Sequence, residues 1–230
     1  DYPSVGGSET WRAIEEARAR PAGTYQGFRP LSTLAEFQAL ISGPTPRRVL
    51  GTAQVATTLQ EARQGAPAGE SGADSPRNPG VPDLVTLVRG ALNLLDEDPD
   101  GLFLVIEGGA IDWANHQNNA SRMIEEQLDF FAAMDTVIAW VEANSHWGES
   151  LLILTADHET GLLWGPRSDQ VPFEPLVDQG AGRVPQLAFN ATGHTNSLVP
   201  VYARGAGSEW LARFVIGDDP VRGPYVDNTS

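Results

Sequence analysis

Leu102-Phe103-Leu104-Val105-Ile106-Glu107 is an unbroken apolar run of strand length that ends on a carboxylate, and Leu151-Leu152-Ile153-Leu154 repeats the pattern just ahead of Asp157-His158. Continuous apolar runs bounded by polar residues predict strands buried on both faces, as in parallel sheets. Between the two, from Ala120 to about Ala143, the residues Met123, Ile124, Gln127, Phe131, Met134 and Ile138 keep near-helical spacing. The order strand, helix, strand predicts an α/β fold, a sheet layered by helices.

Working outward, Pro82 to Leu95 places Leu84, Leu87, Val88, Ala91 and Leu95 on one predicted helical stripe. Thr33-Leu34-Ala35-Glu36 reads as a capping box opening a helix through about Ile41, and Ser8 to Arg20 has helical composition. Val199 to Ala203 is a third strand candidate, and Ser208 to Phe214 a short helix that its own Ser would cap. Residues 64–81, rich in Gly, Pro, Ser and Asp, predict a long exposed loop inside a single domain covering residues 1–230.

With 230 residues and 41% hydrophobic content, the chain can bury a real core. The 30 acidic residues against 15 basic ones give a formal charge of −15, which disfavours nucleic acid and anionic membrane surfaces as partners. No stretch approaches the roughly 18 apolar residues of a membrane span. The chain has no Cys, so disulfides and thiolate sites are excluded.

Glu107 and Asp157-His158 follow strand candidates, and open α/β sheets bind ligands at strand carboxyl ends. Asp112 and His116, spaced i, i+4, fall on one face of a helical turn, where a carboxylate and an imidazole can chelate one cation. His194, within Gly193-His194-Thr195, is a candidate to complete such a site. Taken singly, each carboxylate is more often a helix cap and each His more often a hydrogen-bonded structural residue. The convergence carries the argument: of the four His, His116, His158 and His194 lie beside strand ends or carboxylates, and only His146 sits in a polar turn. Three imidazoles with three carboxylates suit divalent ions, Zn²⁺ where nitrogen dominates and Mg²⁺ where oxygen does. Trp113, between two candidate ligands, reads as a packing residue rather than as part of a pocket.

Three blocks in order, Phe103 to His116 (FLVIEGGAIDWANH), Leu154 to Gly161 (LTADHETG) and Gly193 to Thr195 (GHT), resemble the alkaline phosphatase family. The resemblance implies a three-layer α/β/α architecture with a mostly parallel central sheet, of which this chain would be a partial domain. It implies Glu107 as a Mg²⁺ ligand, Asp112, His116 and His194 around a first Zn²⁺, and Asp157 with His158 around a second. It further implies a phosphate monoester as substrate, inorganic phosphate as product, a homodimeric parent and a periplasmic or secreted location. Residues 165–190 fall where the family carries a surface insertion, here a short one.

The family's nucleophilic Ser, a bridging Asp, a hydroxyl ligand of Mg²⁺ and a phosphate-binding Arg would come from an amino-terminal segment with no match in these 230 residues. No catalytic nucleophile is therefore expected in this chain, and alone it is expected to be inactive. Asp74-Ser75 has the letters of the nucleophile dipeptide, but Pro76 follows where a helix should start. Two alternatives stand beside the phosphomonoesterase expectation. One is a non-catalytic metal-binding fragment, the other a phosphodiesterase or other ester hydrolase of the same superfamily.

Overall fold

The computed structural model describes residues 6–63 and 75–227, so residues 64–74 of the expected loop lie outside the described residues, with Asp74 among them. The remainder of that loop, residues 75–81, contains no helix or strand. Contacts divide the chain into two compact units, one of residues 6–63, 75–110 and 125–136, the other of residues 111–124 and 137–227.

In the first unit, helix α1 (Ser8–Arg18) buries Ile14 and Ala17. Its carboxyl-terminal carbonyls are met by Arg29, whose Nη1 donates to Arg18, Arg20 and Gly23 oxygens. Arg29 opens strand β1 (Arg29–Leu31), which pairs in parallel with β2 (Val49–Gly51). Helix α2 (Leu34–Ala39) starts with the predicted capping box: Thr33 Oγ1 accepts from Glu36 N, and the Glu36 carboxylate accepts from Thr33 N at 2.9 Å. Two orphan helical donors are thereby satisfied, worth about 1 kcal/mol. Helix α3 (Leu84–Leu95) is capped by Asp83, which accepts from Thr86 N at 2.7 Å. Val88, from the predicted stripe, is buried together with Leu92 one turn on, while Leu84, Leu87, Ala91 and Leu95 are half-buried. On the opposite side of the helix Gly90 is also buried: a Cβ there would stand 3.0 Å from Leu40 Cβ, and its absence lets α3 lie directly against the end of α2. Asn93 fastens the contact by donating to the Leu40 and Gly43 carbonyls.

Leu102 to Ile106, expected as a buried strand, belongs to none. Its backbone finds no ladder partner among the described residues, and Phe103 and Val105 are 88% and 75% exposed. A strand exists only where a neighbour accepts and donates its ladder bonds, so an apolar run alone does not make one.

Helix α4 (Ala110–His116) leads to α5 (Ala120–Asn144), opened by the Asn119 side chain accepting from Arg122 N. The α5 stripe also differs from its expectation: Ala133 and Val141 are buried, whereas Phe131 is exposed. In the second unit, β3 (Leu151–Leu154) is a strand as expected, but it pairs antiparallel with β8 (Tyr202–Gly205), and Leu151 and Ile153 are each 47% exposed. The third strand starts three residues after the predicted Val199, since Pro200 has no N–H to give a ladder. Between β3 and β8 lie four strands of two residues each: β4 (Glu159–Thr160) with β7 (His194–Thr195), and β5 (Leu163–Trp164) with β6 (Ala188–Phe189), all antiparallel. Ser208–Phe214 is a 3₁₀ helix whose cap position is Gly207 at φ 79°, so Ser208 is its first residue and not its cap. The hairpin β9 (Val215–Asp219) with β10 (Gly223–Val226) follows. No helix of the described residues is long and apolar enough to cross a membrane.

Candidate metal centre

Helix α4 carries Asp112 and His116 one turn apart, with His116 Nε2 3.4 Å from Asp112 Oδ2. The helix stops at once: Asn118 takes φ 52°, a left-handed conformation that Asn tolerates, and Asn119 N donates to Ala114 O. His116 Nδ1 lies 2.7 Å from the carbonyl oxygen of Thr192. A carbonyl only accepts, so Nδ1 carries a proton, and Nε2, the nitrogen nearer Asp112, holds the lone pair of the neutral ring.

His194 arrives on β7, and the β4–β7 ladder fixes its height, with Thr160 opposite His194 and Glu159 opposite Thr195. Glu159 clamps the β4–β7 pair: one oxygen accepts from the Thr195 hydroxyl, the other from Leu162 N at 2.7 Å. The chain then turns through Gly161 at φ 90°, where a Cβ would fall 2.8 Å from the Phe189 ring. With that frame in place, His194 Nε2 stands 3.0 Å from His116 Nε2 and 3.3 Å from Asp112 Oδ1.

These separations of 3.0, 3.3 and 3.4 Å are a test of fit. Ligands about 2.0 Å from a tetrahedral ion stand roughly 3.3 Å from one another. Two imidazole nitrogens and a carboxylate at that spacing suit Zn²⁺. They border an open cleft of about 340 Å³ whose lining also includes Trp113 and Gln117. Trp113 is 48% exposed there, which corrects its reading as a packing residue.

His158 joins the cluster by distance: ligand atoms of Asp112, His158 and His194 lie within 4.8 Å of one another. Its ring stacks on His194 with centroids 3.6 Å apart, so its nitrogens work at the ring edge. Nδ1 is 3.2 Å from Thr160 Oγ1, and Nε2 is 3.3 Å from Asp157 Oδ2, a second pair at ligand spacing. The Asp157 side chain is 87% exposed. Glu107 belongs to the first unit, is exposed, and curls toward Gly109, where a Cβ would meet its Oε1 at 3.0 Å. Sequence reasoning did not single out Thr160, Glu159, Thr195 or the Thr192 carbonyl as supports, because each acts through a partner far along the chain.

A family model described as "Alkaline phosphatase" matches residues 67–179, the stretch that holds Glu107, Asp112, His116, Asp157 and His158. Residues 67–179 belong to the alkaline phosphatase family. Alkaline phosphatase 3 of Bacillus subtilis is 36% identical over 85 residues, covering 37% of this chain and 18% of its own. Alkaline phosphatase H of Pseudomonas aeruginosa is 31% identical over 163 residues, covering 65% of this chain and 31% of its own. The solved alkaline phosphatase of the Antarctic bacterium TAB5 matches 86% of this chain and 53% of its own, at 26% identity and TM-score 0.55. A variant of that enzyme was solved with Mg bound in its M3 site. The chain thus spans about half of that solved alkaline phosphatase and under a third of these curated ones. Its fold is the α/β fold of these alkaline phosphatases, of which it forms a partial domain.

Proposed function

We propose that this chain is the metal-ligating part of an alkaline phosphatase that hydrolyses phosphate monoesters. The observation that carries the reading is the meeting of Asp112, His116 and His194 at 3.0–3.4 Å beside an open cleft. Asp112, His116 and His194 would hold one Zn²⁺, Asp157 and His158 contribute to a second, and Glu107 serves a Mg²⁺. Bound divalent cations supply the positive charge that attacking and leaving oxygens of a phosphoryl transfer need. They would also let a protein of charge −15 hold a phosphate.

The residues of the chain prepare that site. The Thr192 carbonyl keeps a His116 proton on Nδ1, which leaves Nε2 as the nitrogen that can bind metal. The ladder between β4 and β7 sets the position of His194, and α4 sets that of Asp112. The parent protein is proposed to be exported to the periplasm or outside the cell and to act as a homodimer, on the strength of the family resemblance.

Two measurements test the reading. Isothermal titration of the chain with Zn²⁺ should give a tight site that Asp112→Asn weakens on the order of 100-fold. The protein that contains this chain should turn over a simple aryl phosphate with loss of activity in chelator, and metal-independent turnover or none would overturn the proposal. A diester cleaved faster than the monoester would move it to a phosphodiesterase.

A second reading is favoured by the cleft itself. Its lining residues, Asp112, Trp113, His116, Gln117 and His194, offer ligands but no alcohol or thiol to attack a phosphorus. On that reading the purified chain binds metal and turns nothing over. Phosphatase activity by this chain alone would contradict it.

A further inference from the structure

Thr160 is 6% exposed, yet its hydroxyl lies between two ligand pairs. Oγ1 donates to Asp112 Oδ1 at 2.5 Å and stands 3.2 Å from His158 Nδ1. A hydroxyl has one proton to give, and the carboxylate at 2.5 Å takes it. The same oxygen is then an acceptor toward His158, which places the imidazole proton on Nδ1 and the lone pair on Nε2. Nε2 is the nitrogen that faces Asp157, at 3.3 Å. One short chain of hydrogen bonds therefore runs from the His158 ring through Thr160 to Asp112, and its direction suits both ends for cation binding. The backbone of Thr160 is also the Cα partner of His194, so the residue addresses a third candidate ligand through the ladder.

We propose that Thr160 is a positioning residue that ties the Asp112–His116–His194 set to the Asp157–His158 pair. It holds Asp112 in the rotamer that meets both His116 and His194, and it fixes the tautomer and tilt of His158. Ordering either set then pre-orders the other, so the two sets fill together. This inference rests on the metal-centre reading above.

The test is Zn²⁺ titration of the full chain, with the His158 tautomer read from imidazole ¹⁵N shifts. Thr160→Val keeps the shape and removes the hydroxyl, and Thr160→Ser keeps the hydroxyl and removes the methyl group. The valine variant should lose about 10-fold or more in Zn²⁺ affinity, the usual scale for a partner that orients a ligand. Its His158 ring should populate both tautomers, while the serine variant stays within about 3-fold of the wild type and keeps one tautomer. If the valine variant does not fold, Thr160→Ala takes its place with the same expectation. Unchanged affinity and tautomer without the hydroxyl would overturn the inference, and so would an equal loss in the serine variant. A wild-type chain that takes up no Zn²⁺ would instead sink the metal-centre reading itself.

Discussion

Two acid-rich regions of this chain solve the same problem in opposite ways. In the first unit, Glu125 accepts from Arg63 at 2.7 Å and from Arg77 at 3.3 Å, and Asp129 lies 3.8 Å from Arg77. The Arg63 side chain is 2% exposed, and its other donors reach the Gln60, Ser75 and Pro76 carbonyls. In the second unit, Asp112 borders an open cleft, and its near neighbours are the imidazole nitrogens of His116 and His194 and the Thr160 hydroxyl, with no guanidinium among them. A carboxylate met by guanidinium is neutralised by the chain itself, so it serves architecture. One met by imidazoles and a hydroxyl has metal-ligating neighbours in place of a guanidinium, and this is the physical mark that separates a candidate metal centre from an ordinary acidic cluster.

The contrast can be broken most forcefully at Arg63. Arg63→Ala strips a buried charge partner from Glu125 and should cost about 3 kcal/mol or more by chemical denaturation. Zn²⁺ affinity should stay put, because none of the candidate Zn²⁺ ligands is in that cluster. Asp112→Asn should do the reverse, lowering Zn²⁺ affinity on the order of 100-fold by titration while apo stability moves by less than about 1 kcal/mol. If both substitutions hit stability alone, the distinction between the regions collapses.

Glu126 sharpens it further. Burial first, then the neighbouring charges of Asp129 and Glu125, raise its carboxyl from 4.5 to about 7, and its Oε1 is buried with no hydrogen-bond partner among the described residues. In the unfolded chain the group ionises near 4.5, in the folded chain only near 7, so stability falls as pH rises across that interval. Glu126→Gln should therefore remove this slope and stabilise the chain above pH 7 by about 1 kcal/mol, allowing for screening of a partly exposed group. Thermal melts from pH 4 to 9 would read it, and an unchanged slope would clear Glu126. The smallest effect is expected at Asp157, 87% exposed with one imidazole beside it. Asp157→Asn leaves the Thr160 link between the two sets intact, so affinity at the Asp112 set should fall by only about 3-fold, and a loss as large as that of Asp112→Asn would make Asp157 a ligand of the same ion.

Much of this was legible where local chemistry decides. The Thr33–Glu36 box, the span of α3 and the length of α5 follow from residues within a turn of each other, although the Asp83 cap of α3 was not singled out. The i, i+4 pair Asp112 and His116 was legible for the same reason, and His194 was legible as a third candidate. Leu102 to Ile106 reads as a strand by hydrophobicity, yet pairing is a property of two segments and none of the described residues pairs with it. The strands β4 and β7 are two residues each, too short for any periodicity, and Thr160 reaches Asp112 across 48 positions. Their side chains carry ordinary polar letters whose partners only folding selects.

The bond from His116 to the Thr192 carbonyl has an evolutionary consequence. Its acceptor belongs to the peptide unit, so drift at codon 192 can change the side chain freely and leave the imidazole held. Only an insertion, a deletion or a rerouted loop near residues 190–193 would release it. Length in that segment, more than letter identity, is what selection on this centre has to guard.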